Sequence, residues 1–128
     1  MEECTSCACS PAEVLLFPCS GGSNVGQIAN AAAVKLNRDQ VGKMFCLAGI
    51  GGHIESMLNS AKGAKRLVAL DGCAVACTRH TLEHAGFAAT DHVVVTELGI
   101  EKRYDLDPPP EAVARVAEEV RKRLAIFR

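Results

Sequence analysis

Aromatic residues are scarce in this chain: no tryptophan, one tyrosine and four phenylalanines among 128 residues. That shortage removes the stacking platforms on which single-stranded nucleic acids are held. An excess of either charge is also missing. With a formal charge of −1 and acids and bases interspersed, there is no basic footprint for a phosphate backbone. The apolar run Val14-Leu15-Leu16-Phe17 is too short for a signal-peptide core or a membrane span. The opening Met1-Glu2-Glu3-Cys4 is acidic where a signal peptide is basic. These absences predict a cytoplasmic protein whose partners are neither nucleic acid nor membrane.

What the chain does have is cysteine, seven in all. An odd number in a reducing compartment points to metal binding or thiol chemistry rather than a disulfide framework. Nor does a chain of this length need covalent staples to bury a core. That core is drawn from Ala, Val, Leu and Ile.

Periodicity divides the chain into a tail, residues 1–12, and one α/β domain, residues 13–128. Val14 to Phe17 reads as a buried strand running into the small-residue loop after Pro18-Cys19. Asn24 reads as a helix N-cap with Gln27 as its capping-box partner, and Asn37 as the C-cap. Between them Val25, Ile28, Ala29, Ala32, Ala33 and Leu36 recur at helical spacing. The plan repeats: a strand from Lys43 to Leu47 containing Cys46, a glycine loop over residues 48–52, and a helix from about His53 to Ala61. A third strand, Arg66 to Leu70, leads through Asp71-Gly72-Cys73 into a helix closed by Gly86. The fourth strand is His92 to Thr96, and Asp107 followed by three prolines announces a last helix. Its apolar stripe is Val113, Val116, Ala117, Val120, Leu124 and Phe127.

Alternating strands and helices with short connections predict a three-layer, Rossmann-like or flavodoxin-like domain with a parallel sheet of about four strands. The preferred order is 2-1-3-4, although 3-2-1-4 would equally gather the loops after the first three strands. Those loops carry Cys19, Cys46, Cys73 and Cys77. The carboxyl edge of such a sheet is where ligands bind, and four thiolates from separate loops suit tetrahedral zinc.

The segments Cys19-Ser-Gly-Gly-Ser-Asn-Val-Gly-Gln, Cys46-Leu-Ala-Gly-Ile-Gly-Gly and Leu70-Asp71-Gly72-Cys73-Ala-Val-Ala-Cys77 resemble the DGC-domain family. It is named for its Asp-Gly-Cys motif, and zinc binding is attributed to it. The resemblance spans about Val14 to Ile100 and implies a four-cysteine metal site at Cys19, Cys46, Cys73 and Cys77. It implies no reaction.

Other chemistry competes for the same residues. Cys73 at a helix start is placed as a nucleophile, with Cys77 or Cys19 to resolve it, and four cysteines also suit an iron–sulfur cluster. The loop after Cys19 compares with oxyanion-cradling cysteine phosphatases, but Val25 stands where their arginine would. It also lacks the lysine of a nucleotide-binding loop. On the third helix Val75, Thr78, Leu82 and Ala85 should face the sheet, which turns Cys77, His80 and His84 away from it. Cys77 is therefore the least aligned ligand. Cys4, Cys7 and Cys9 of the tail, with His53, are additional candidate ligands. His80 and His84 at i, i+4 are a further half-site, with a solvated pair as the plainer alternative. Asp71 reads as a cap.

Overall fold

Strand β1 (Val14–Pro18) is apolar at every position because it is covered on both faces. Leu15 and Phe17 project into one cluster with Ile50, Ala61, Ala69 and Leu82. Leu16 projects into the other, with Ile28, Leu36, Val68, Val116 and Val120. The computed structural model in which this is seen describes residues 13–126. Cys4, Cys7, Cys9 and Phe127 lie outside the described residues.

After β1 come α1 (Asn24–Arg38), β2 (Lys43–Met44), α2 (Leu47–Gly51), α3 (Glu55–Lys62), β3 (Arg66–Asp71), α4 (Cys77–His84) and β4 (Asp91–Val94). A 3-10 turn (Val95–Leu98) and an irregular segment then lead to α5 (Pro110–Leu124). The four strands run parallel in the order β2-β1-β3-β4, with Leu16 opposite Met44, Pro18 opposite Leu70 and Asp71 opposite Val94. Helices α1 and α5 cover one face and α2, α3 and α4 the other. Right-handed crossovers require α1 to lie opposite α2, α3 and α4, because the β1 to β2 connection moves one way along the sheet and the later ones the other, while α5 follows the last strand and packs on α1.

Several local expectations change. The N-cap of α1 is Ser23, whose Oγ accepts from the Gly26 amide at 3.2 Å. Gln27 makes no capping box, and its amide donates instead to the Gly21 carbonyl at 3.0 Å. The C-cap is Asp39, not Asn37, whose side-chain oxygen accepts from the Met44 amide at 2.7 Å and holds the start of β2. Strand β2 is only two residues long, and Cys46 lies beyond it as the N-cap of α2. Residues 47–51, expected to end a strand and form a loop, are helical. Gly49 is needed there because a Cβ would meet Met57 Cγ at 2.8 Å, so the glycine lets α2 pack on α3. Helix α4 begins at Cys77 rather than beside Cys73. Thr78 and Leu82 are buried as expected, whereas Val75 precedes the helix and is 61% exposed.

Candidate functional site

Strands β1 and β3 are neighbours whose onward connections leave to opposite faces. The gap between their carboxyl ends is thus the switch point at which open α/β sheets bind ligands. Cys19 follows β1 directly and its amide extends the ladder to the Leu70 carbonyl at 3.0 Å. Cys73 lies two residues past β3, and Cys77 opens α4. Together Cys19, Cys73 and Cys77 line one cleft of about 210 Å³, with Asp71, Lys102 and Tyr104 on its walls.

Cys46 opens instead into an adjoining hollow between the ends of β1 and β2 and helices α2 and α4. Cys19 lines both spaces and is the partition between them. Among the described residues, no three cysteine, histidine or carboxylate side chains are gathered closely enough to hold one metal ion as they stand. His53 is outside the cleft, at the end of α2, and its ring faces His84.

The cleft floor is a junction of three backbones. A Cβ on Gly26 would lie 2.5 Å from the Gly21 carbonyl oxygen, and one on Gly72 would lie 2.8 Å from the Gly26 nitrogen. Glycine at both positions lets the ends of β1 and β3 and the start of α1 meet. The turns above them contain non-glycine residues in the left-handed region, Ser20 (φ 54°) and Ala76 (φ 57°). Such residues cost about 1–2 kcal/mol each and collect at functional sites. Asp71, 1% exposed, accepts from the amides of Thr78 at 2.7 Å and Arg79 at 3.3 Å, and pairs with His92 Nε2 at 2.8 Å. One carboxylate therefore caps α4 and ties it to β4.

The far wall was not visible in the motifs. Asn24 clamps the irregular segment that follows the 3-10 turn: its side-chain nitrogen donates to the Glu101 carbonyl at 2.9 Å, and its side-chain oxygen accepts from the Arg103 amide. Its own amide donates to the Arg103 carbonyl at 3.1 Å. The clamped segment sets Lys102 over the cleft, where its ammonium donates to Cys73 Sγ at 3.5 Å. Burial pushes the Cys19 thiol above its ordinary value, partly opposed by the Gly21 and Gly72 amides and reinforced by Asp71 and Cys77. Desolvation disfavours a thiolate at Cys19, and a cation bound beside it would offset that burial.

Fold and cleft together define an open α/β domain with a thiol-lined switch point. The DGC domain matches residues 15–120, and the chain belongs to that family. Among its relatives is the anaerobic and virulence modulator AnvM of Pseudomonas aeruginosa strain PAO1. It is 34% identical over 110 residues, covering 86% of this chain and 84% of that protein. No solved structure matches the chain.

Proposed function

We propose that this protein binds a thiophilic metal ion, zinc foremost, through Cys19, Cys73 and Cys77, with Cys46 or a thiol of Cys4, Cys7 and Cys9 as the fourth donor. One observation carries this reading: three thiols from two segments distant in sequence open into a single small cleft at the switch point. The donor set suits zinc, cadmium or copper(I) better than a hard cation. Closing the thiols on one ion requires the turn over residues 72–76 to tighten. Within that turn the side chains of Ala74 and Val75 are exposed.

Four thiolates would complete the metal's coordination and leave no position for a reacting water, so the site serves structure or metal handling rather than hydrolysis. Lys102 offsets the negative charge that such a set of thiolates leaves. We place the protein in the cytoplasm, where free thiols persist. No helix among the described residues is long and apolar enough to cross a membrane.

The contact between Lys102 and Cys73 favours a second reading. In it Cys73 attacks the disulfide of a partner, forms a mixed disulfide and expels one partner thiol. Cys77 or Cys19 then displaces the other thiol and leaves an internal disulfide.

Metal analysis of protein purified without air, with free thiols counted before and after chelation, separates these readings. One equivalent of zinc protecting at least three thiols is expected. Metal-free protein with a single hyper-reactive cysteine overturns the first reading and supports the second. An absorption band in the visible region would replace zinc by an iron–sulfur cluster.

A further inference from the structure

His53 and His84 meet away from the cysteines, on the surface formed by the end of α2 and the last turn of α4. His53 Nε2 lies 3.3 Å from His84 Nδ1, with ring centroids 5.2 Å apart and planes crossing at 60°. A collinear N–H···N hydrogen bond of this length would set the centroids roughly 5.6 Å apart, because each centroid lies about 1.15 Å behind its nitrogen. Two zinc–nitrogen bonds of about 2.05 Å opening at a tetrahedral angle place the nitrogens roughly 3.3 Å apart and the centroids roughly 5.2 Å apart. The pair has the spacing of a chelate.

The backbone presents it on purpose-built geometry. His53 is in the left-handed region at φ 55°, a conformation costing about 1–2 kcal/mol for a residue with a Cβ. Glycine occupies the two positions immediately before it, Gly51 and Gly52, but not this one. His80, the helical neighbour one turn back, belongs elsewhere, with Nδ1 4.0 Å from Glu83 Oε1. The pair is also separated from Cys77, because His84 is seven residues along α4 from it, roughly 10 Å of helix axis.

We propose that His53 and His84 form a second metal site, taking a borderline divalent cation of the zinc, nickel or copper(II) class through His53 Nε2 and His84 Nδ1, with water in the remaining positions. Imidazole pairs suit these ions, and the exposure of both rings lets the ion keep part of its water. Ligation uses the lone pairs of the two inner nitrogens, so in the metal-bound form the ring protons sit on His53 Nδ1 and His84 Nε2. The site does not depend on the thiol cleft.

Zinc ion titrated into the full chain, followed by nuclear magnetic resonance of ring-labelled histidine, tests the pair directly. The His53 and His84 resonances should move together and saturate, while His80 and His92 stay in place. His84→Ala, at an exposed helix end, should abolish the response of His53. A response that climbs without saturating to millimolar zinc, or one in which His80 follows His84, overturns the proposal. Thiol counts on the same samples report the cleft separately. Histidine shifts without thiol protection sink the cysteine reading alone, and thiol protection without histidine shifts sinks this one alone.

Discussion

Cys19 is the position at which burial and ligation compete most directly. Its thiol is held above the ordinary value chiefly by desolvation, so the metal-free fold favours the protonated form. A folded-state value raised above the unfolded one contributes stability that is present at low pH and is lost as pH rises through the thiol range. Metal-free protein should therefore lose stability as pH climbs past the ordinary value of 9.0, and Cys19→Ala should flatten that loss in melts recorded across the alkaline range. Zinc reverses the sign, since binding expels the thiol proton and affinity rises with pH until the thiols are ionised. Calorimetry in buffers of different ionisation enthalpy should then read net proton release on zinc binding near neutral pH, with Cys19 contributing about one of the protons. Asn24 shows the limit of reading residues singly. Ser23 and Asn24 are both good caps with Gln27 just downstream, and local pattern cannot choose between them. The choice is made by the Glu101 and Arg103 backbone groups, more than seventy residues away.

At the scale of elements, the Asp-Gly-Cys segment looks like the start of a helix and is instead a strut beneath one. Asp71 does cap α4 as the sequence suggests, but it reaches the amides of Thr78 and Arg79 across an intervening turn. Cap chemistry was legible here because Asp is a strong capping residue. The delay was not, because it depends on Ala76 adopting a left-handed conformation that alanine disfavours. Replacing the buried carboxylate leaves amide donors unsatisfied, at about 1–3 kcal/mol for each group stranded. Asp71→Ala should accordingly lower stability by about 2–4 kcal/mol in urea unfolding. It should also raise amide exchange in the first turn of α4, moving Cys77 away from Cys19. A fully folded Asp71→Ala protein with an unchanged melting temperature would show that the carboxylate is dispensable. Gly72→Ala works on the neighbouring backbone: its Cβ would lie 2.8 Å from Gly26 N and Val25 C. The junction must open, and about 1–3 kcal/mol of destabilisation is expected from overpacking of this kind. Zinc uptake should fall with it if the same junction aligns Cys19 and Cys73.

Across the whole molecule, strand order is what turns scattered cysteines into neighbours. The alternation of apolar runs and amphipathic segments was enough to predict the parallel sheet, and short connections with right-handed crossovers narrowed its order to two choices. The structure has the order β2-β1-β3-β4. Cys46 departs from the expected cluster because β2 stops after Met44, and Cys46 caps a short helix on the outer side of Cys19. Nothing in the apolar run 44–47 announces that turn. This placement sets up the final prediction. A ligand that binds only the folded chain raises stability by an amount that grows with the ratio of its concentration to its dissociation constant, about 2.7 kcal/mol at one hundredfold. Zinc at that excess should raise the melting temperature of a domain this size by roughly 8–14 °C, at about 3–5 °C per kcal/mol. With the histidine pair removed by His84→Ala, Cys19→Ser and Cys73→Ser should each abolish that gain, because both thiols line the switch-point cleft. Cys46→Ser discriminates further: loss of the gain makes Cys46 the fourth donor, and retention passes that role to Cys4, Cys7 or Cys9. A zinc-dependent rise that survives Cys19→Ser and Cys73→Ser together would remove the metal from the switch point altogether.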